Sequence, residues 1–270
     1  MFPPEENRST VIGEYGGFGL PIAGHLWQDT ERNWGYGAAI RDGEHLLETY
    51  KLFNARLHPL IAAGLSAAVY TQTTDVEVEV NGMMTYDRAV IKVDVERFRA
   101  ANEALRYEPA TFKVVVPTAR EEAAEWAYTI FRPGDGWEKP DFDDSEWNRG
   151  PSGFGSPGTP NAVIGTEWRT DDIWIRRSFE LSAEDAADPS SLFIDLHHDE
   201  DATVYINGVK VLETQSFITD YHQFPMENAA EAIKAGTNVI AIRCRQTTGG
   251  QYIDAGISRF APPENRARVW

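Results

Sequence analysis

Val204-Tyr205-Ile206-Asn207-Gly208-Val209-Lys210-Val211 decides how the second half of this chain is read. Two short β-branched and aromatic runs flank an Asn-Gly pair. Both central residues of a type I′ turn need a positive φ, which Asn and Gly tolerate, so the stretch predicts a two-residue β-hairpin. Outward from it, similar short runs recur at Lys113–Val116, Trp126–Phe131, Asp172–Phe179, Leu192–Leu196 and Asn238–Arg245. Turn clusters such as Arg132-Pro133-Gly134-Asp135-Gly136 and Gly150-Pro151-Ser152-Gly153 separate them. No helix longer than Asn228–Lys234 is indicated there. Many short strands at regular spacing describe a β-sandwich or jelly roll, expected over residues 113–270.

Residues 1–112 read differently, as mixed α/β. Thr10-Val11-Ile12-Gly13 is a short strand that breaks at Glu14-Tyr15-Gly16-Gly17, and a long loop carrying His25, Trp27, Trp34 and Tyr36 follows. From Glu44 the apolar residues Leu46, Leu47, Tyr50, Phe53, Leu57, Leu60 and Ile61 recur at helical spacing until Gly64. Ser66–Gln72 predicts a second strand, and Asp94 the cap of a second helix. Strand, loop, helix, repeated, is the unit of a parallel α/β fold. The expected fold class is α/β followed by all-β.

The 270 residues carry 42 acidic against 25 basic side chains, a formal charge of −17. Such a chain repels phosphate backbones and anionic membrane surfaces, so nucleic acid and membrane are poor partners for it. No run of 18 apolar residues exists. An acidic, Trp-rich chain suits neutral polar ligands such as sugars. The single cysteine, Cys244, forms no intrachain disulfide, and Met1–Glu6 lacks the basic and apolar regions of a signal peptide.

Few residues are placed for chemistry. Glu14 sits where a strand meets a glycine turn, the position of catalytic groups in a βα-barrel; the bland alternative is a solvated loop glutamate. Tyr70, Thr71 and Gln72 end the second strand in the same way, with a rim tyrosine as the ordinary reading. Asp75, Glu77 and Glu79 alternate with valines, which predicts three carboxylates on one strand face, solvated or metal-binding. The six histidines show no zinc spacing, so no metal is assigned, and no phosphate loop or nucleophile elbow is present, so no cofactor is implied. Trp137, Trp168 and Tyr221 are the candidates for exposed aromatics that stack on a sugar, against a core role.

Val11-Ile12-Gly13-Glu14-Tyr15-Gly16-Gly17 resembles the segment around the nucleophilic glutamate of glycoside hydrolase family 2. Val69-Tyr70-Thr71-Gln72-Thr73-Thr74-Asp75-Val76-Glu77, with Glu79-Val80-Asn81-Gly82 and Thr85-Tyr86-Asp87-Arg88, is similar to the last barrel strand and loop of one bacterial branch. The resemblance implies that residues 1–112 are the last βα units of an incomplete TIM barrel. It implies Glu14 as nucleophile and Tyr70 as an aromatic lining the sugar subsite, with Gln72, His25 and Trp34 as further substrate-binding candidates. Trp126-Ala127-Tyr128, Phe142-Asp143-Asp144-Ser145-Glu146-Trp147 and Ile173–Phe179 resemble the galactose-binding-like β-sandwich, an accessory module in this group.

The departures from that family decide the expected activity. A retaining glycosidase needs a second carboxyl group about 5–5.5 Å from the nucleophile. The family's acid/base lies on an earlier strand after an Asn, whereas Asn102-Glu103 falls in a helix and after Glu14. A barrel takes about 250 residues, and only about 110 precede the sandwich. The chain is therefore expected to be the C-terminal piece of a retaining exo-β-glycosidase, idle alone, with self-association through exposed barrel surfaces. The alternative is a non-catalytic carbohydrate-binding or structural β-sandwich with a barrel remnant.

Overall fold

A computed structural model describes residues 9–29, 32–105 and 111–261, which divide into two compact units between residues 105 and 111. Strands predominate and helices are few.

The first unit runs β1 (Thr10–Tyr15), α1 (Gly43–Ala62), β2 (Leu65–Tyr70) and α2 (Val95–Ala104). The two strands pair in parallel, with Tyr15 opposite Tyr70 at their C-terminal ends. Asp42 caps α1 by accepting the His45 amide at 2.8 Å, and Asp94 caps α2 by accepting the Arg97 amide at 2.9 Å. Each satisfies a backbone donor that the first helical turn leaves unpaired. Leu46, Leu47 and Tyr50 of α1 are buried against Phe18, Ile40, Met83 and Val93, with Phe98 and Ala101 of α2 packed on them. The Tyr50 hydroxyl donates to Asn102 Oδ1 at 2.7 Å, and Arg97 forks onto Glu44 at 2.5 and 2.8 Å. Asn102, beside Glu103, thus serves to join the two helices.

The second unit runs β3 (Thr111–Val116), β4 (Glu125–Thr129), β5 (Asn148–Pro151), β6 (Phe154–Gly155), β7 (Thr166–Glu167) and β8 (Asp172–Leu181). After a turn of helix, α3 (Ala183–Ala186), come β9 (Leu192–Asp199), β10 (Asp201–Ile206), β11 (Val209–Thr214) and β12 (His222–Pro225). The unit ends with α4 (Ala229–Ala232), β13 (Gly236–Arg245) and β14 (Tyr252–Ala261). One sheet has the order β11-β10-β13-β8-β4-β5; the other has β12-β9-β14-β6-β7, with β3 also on β14. Apolar residues from both, among them Trp126, Ile175, Val204 and Ile242 of the first and Phe154, Ile194, Leu196 and Ile257 of the second, form one core between the sheets. Sheets packed face to face around such a core make a β-sandwich.

The hairpin at Asn207-Gly208 forms with φ of 52° and 86°, and Ile206 pairs with Val209. Asn207 does more than turn the chain. Its Oδ1 accepts the Val239 amide at 3.0 Å, and its Nδ2 donates to Ala232 O at 2.9 Å and Asn238 Oδ1 at 2.7 Å. The ten-residue β14 went unread in the sequence, because Asp254, Gly256 and Ser258 interrupt its apolar run. Those residues occupy the strand's second face, which is also buried.

Of the three aromatics weighed for a sugar, the core claims one. Trp168 is 3 % exposed and belongs to the core, so it offers nothing to a ligand. Trp137 and Tyr221 are half-buried: Trp137 lies edge-on to Tyr205 with ring centroids 5.7 Å apart, and the Tyr221 hydroxyl donates to Asp254 at 2.6 Å.

Candidate functional site

Parallel strands present their C-terminal ends on one side, and loops leaving those ends carry the ligand-facing groups of parallel α/β folds. In the first unit β1 and β2 end together, and Glu14 lies exposed one residue before the end of β1. Gly16 and Gly17 then turn the chain with φ of 80° and 76°, a region open to glycine at little cost. The turn also needs their lack of a side chain. A Cβ on Gly16 would lie 2.2 Å from Tyr70 Cε2, and one on Gly17 would lie 2.6 Å from Tyr36 Cδ2.

Tyr70 sits directly beneath this turn. Its ring packs edge-on to Tyr15 and Tyr50 at 5.5 and 5.1 Å between centroids. Its hydroxyl is sealed from solvent with the backbone of Gly17 and Phe18 facing it, and burial pushes the phenol up to about 12. Gln72, two residues on, donates through Nε2 to Asn81 Oδ1 at 2.9 Å. Asn81, fully buried, donates in turn through Nδ2 to Glu79 Oε1 at 2.8 Å. This chain fixes the Gln72 amide in one orientation and leaves its oxygen unspoken for among these three side chains.

Trp34 stands on the loop that follows β1. Its amide donates to Val78 O at 3.0 Å, and its carbonyl accepts the Val80 amide at 2.8 Å, so the loop is stitched to the one that follows β2. The indole is 43 % exposed and meets Tyr36, 50 % exposed, edge-on at 5.2 Å. The structure therefore links Tyr70, Gln72 and Trp34 through Gly16, Gly17, Tyr36 and Asn81. His25 is held separately, by Asp87 at 2.8 Å. Asp87 is drawn down to about 2 by the Thr85 hydroxyl first and then by His25 and the Ala89 amide. A second exposed aromatic pair, Trp27 on Tyr86 at 5.5 Å, lies on the same two loops.

The three alternating carboxylates do not share a face. Val76 and Glu79 exchange backbone hydrogen bonds across Glu77-Val78, with Glu77 at φ 54°, so the alternation is a tight turn. Asp75 points inward onto Lys92 Nζ at 2.7 Å, both side chains being almost wholly buried, while Glu79 is spent on Asn81. Alternation alone cannot distinguish a strand from a strand-like turn. Tyr36 and Asn81 carry no site signal of their own in the sequence, and Glu79 stands there only among the alternating carboxylates; the Asn81-Gly82 dipeptide is the available signal for a chain crossing. A Cβ on Gly82 would lie 2.2 Å from the Thr74 carbonyl carbon.

A strand-end carboxylate, with exposed aromatics and a fixed amide on the segments that leave the same two strands, is suited to a neutral hydroxylated ligand. Indoles and phenols cover the apolar face of a ring, amides exchange hydrogen bonds with hydroxyls, and a carboxylate can attack an electrophilic carbon.

No protein-family model matches the chain, and no curated protein does. Among solved structures, the chain is similar to a glycosyl hydrolase family 2 member from Bacteroides cellulosilyticus at 19 % identity, over 49 % of this chain and 20 % of that one, with a TM-score of 0.34. It is similar to a β-glucuronidase of Bacteroides uniformis at 17 % identity, over 56 % and 18 % of the two chains, with a TM-score of 0.38. A β-glucuronidase of Lactobacillus rhamnosus matches at 16 % identity over 56 % and 29 %, with a TM-score of 0.36. The aligned part spans less than a third of each of these proteins.

Proposed function

We propose that this chain is the sugar-facing C-terminal part of a retaining exo-β-glycosidase of the glycoside hydrolase family 2 type, acting on a β-linked carbohydrate. In this reading the first unit is the last βα part of a TIM barrel and the second is a galactose-binding-like accessory sandwich. The observation that carries it is the position of Glu14: exposed, at the C-terminal end of a parallel strand, beside a double-glycine turn that lies on Tyr70. The motif around Glu14 and the one around Tyr70 occur in the expected order, and the two strands that bear them are neighbours.

The chemistry assigns Glu14 the role of nucleophile. Its carboxylate oxygen would attack the anomeric carbon as the glycosidic C–O bond breaks, leaving a glycosyl ester that water then hydrolyses. Gln72 and the Trp34–Tyr36 pair would bind the ring, His25 with Asp87 would serve at the loop margin, and Tyr70 would form the floor under the glycine turn. The departing oxygen needs a proton in the same step. That acid would come from a barrel strand outside these 270 residues.

The test follows from that division. The chain as given should not turn over nitrophenyl β-glycosides, and turnover that survives Glu14→Gln would overturn the assignment. In a polypeptide that also supplies the acid, Glu14→Gln should lower kcat by orders of magnitude, as removing one member of a nucleophile set does. Azide should partly restore Glu14→Ala, because a small anion can replace the missing carboxylate.

A further inference from the structure

The loops that leave β1 and β2 carry a second cluster beyond the one built on Gly16, Gly17 and Tyr70. His25 and Trp27 stand on the first loop, Tyr86 and Asp87 on the second. The loops meet twice here. His25 Nδ1 lies 2.8 Å from Asp87 Oδ2, and the Trp27 and Tyr86 rings meet edge-on at 88° with centroids 5.5 Å apart. Two contacts between such short stretches make these four residues one patch.

Each loop holds its own members in place. The Thr85 amide donates to Val90 O at 3.0 Å and the Arg88 amide to Thr85 O at 2.9 Å, so residues 85–90 form a closed turn. Asp87 Oδ1 accepts the Thr85 hydroxyl at 2.6 Å and the Ala89 amide at 3.1 Å, which leaves Oδ2 for His25. The His25 amide donates to Ile22 O at 3.0 Å and turns the other loop in a similar way. The carboxylate fixes the tautomer of its neighbour. It accepts the proton on His25 Nδ1, and the neutral imidazole then carries its lone pair on Nε2. That nitrogen has no partner among the described residues, and 33 % of the His25 side chain is exposed.

The surroundings of Nε2 decide what it meets. His25 belongs to no convergent group of three His, Cys, Asp or Glu among the described residues, so a metal centre is not its use. Trp27 is 56 % exposed and Tyr86 36 %, a paired aromatic surface of the kind that marks a contact site. Asp87 has no acceptor capacity left for a ligand, and His25 Nε2 is the acceptor fixed in direction. A sugar brings several hydroxyls, each of which needs a partner once water is displaced. An aromatic ring with one hydroxyl needs less: ring surfaces for its own ring and one acceptor for its O–H. The Asp87 charge and the −17 of the whole chain disfavour an aromatic carboxylate.

From this geometry we infer that His25, Asp87, Trp27 and Tyr86 bind a phenolic ring, its hydroxyl donating to His25 Nε2 while the ring packs on the Trp27–Tyr86 pair. The inference deepens the glycosidase reading and rests on it for one point, that the phenol is the leaving group of an aryl β-glycoside. Cleavage of the glycosidic C–O bond leaves the oxygen on the aryl ring, and once protonated it is the free phenol that the patch holds. The binding itself needs neither Glu14 nor turnover.

The experiment is an NMR titration of the full, ¹³C,¹⁵N-labelled chain with phenol at millimolar concentration, following the His25 imidazole and the Trp27 indole N–H. It is run at about pH 8, where an ordinary imidazole is neutral. Cyclohexanol keeps the hydroxyl without the π-system, benzoate replaces the hydroxyl by a charge, and glucose is the sugar control. Saturable shifts with phenol are expected, and binding of the other three should be about tenfold weaker or less. Trp27→Ala should weaken phenol about tenfold or more, and His25→Ala about three- to tenfold, the effects of one aromatic contact and one hydrogen bond. Asp87→Asn should shift the ring ¹⁵N resonances of His25, because Nδ1–H loses its anionic acceptor, and should weaken phenol with them. Trp27→Leu replaces Trp27→Ala should the melting curve show that the latter does not fold. Arg243→Ala, in the second unit, should leave the titration unchanged. The inference is overturned if phenol shifts neither probe, if the folded variants bind phenol as the parent does, or if cyclohexanol, benzoate or glucose binds as tightly. No bond is cleaved in this titration, so its failure leaves the assignment of Glu14 standing, and failure of the Glu14→Gln test leaves the phenol site standing.

Discussion

Replacing Lys92 by Met tests how the loop beneath the candidate site is held. The Lys92 and Asp75 side chains are 0 % and 2 % exposed and meet at 2.7 Å. Lys92 also donates to Val80 O at 3.0 Å, while Asp75 Oδ1 also accepts the Gly82 amide at 2.8 Å. Asp75 Oδ2 is buried with no partner among the described residues. Burial is the leading influence on both groups: it raises Asp75 and lowers Lys92 despite their pairing. Met keeps the length of the lysine stem and removes the charge, leaving a buried carboxylate with one amide donor, while the Val80 carbonyl keeps the Leu20 amide at 2.9 Å. Breaking a buried pair from one side costs about 3–5 kcal/mol, a large part of the roughly 5–15 kcal/mol that holds a domain folded. The molecule's remedy is to protonate Asp75. Without Lys92, the folded-state pKa of Asp75 rises further above its unfolded value, so the folded form takes up a proton that the unfolded form releases. Stability from this group is then present at low pH and lost as pH rises through that raised pKa. Urea denaturation should therefore show Lys92→Met far less stable than the parent at pH 7 and closer to it at pH 5. Adding Asp75→Asn should restore most of the loss. A single variant within about 1 kcal/mol of the parent at pH 7, or one with no recovery on acidification, would refute the reasoning.

Other consequences can be measured on the same chain. Gly16→Ala forces a positive φ on a residue with a Cβ and drives that atom to 2.2 Å from Tyr70 Cε2, so a loss of about 2–4 kcal/mol is expected in denaturation; Tyr70→Phe, which removes a sealed hydroxyl, should be neutral or stabilising. Asn207→Ala should cost about 2–4 kcal/mol, because it loses a side chain suited to φ 52° and leaves the Val239 amide unpaired, and urea midpoints will report it. Burial pushes Asp195 and Asp254 up to about 6, so each contributes stability that is full below an ordinary aspartate pKa and lost as pH rises through about 6. The stability difference between the parent and Asp195→Asn should move in the parent's favour from pH 7 to pH 5, by about 1 kcal/mol. His197, held down near 4 by burial, works the other way: its contribution is present above the ordinary histidine value and is lost as pH falls toward 4. His197→Phe should remove that opposing trend from the pH–stability curve.

Local chemistry and periodicity were enough for some features. Asp94 foretold a capped helix, and the apolar stripe from Glu44 to Ile61 a second helix whose cap, Asp42, went unread. The Asn207-Gly208 hairpin was equally legible, because only a few residue types accept both of its dihedrals. What sequence could not show was the use made of Asn207 by Val239, 32 residues away. The likeness of the Glu14 and Tyr70 motifs to a known family gave both residues roles in advance. Only folding put Gly16 on the Tyr70 ring and turned that hydroxyl away from water.

By itself, then, the order of residues determined the βαβα rhythm of the first unit, the hairpin and the short-strand character of the second, since each depends on neighbours within a few positions. Tertiary structure decided which faces those elements bury. Asp254, Gly256 and Ser258 read as interruptions of an apolar strand until the fold buries them, with Thr118 packed over Gly256 and the Ala119 amide satisfying Asp254 from outside its own strand. Asp75 read as one of three solvated carboxylates until Lys92, 17 residues further on, took it inward. A buried polar group is stable only with a partner, and partners distant in sequence are chosen by the fold.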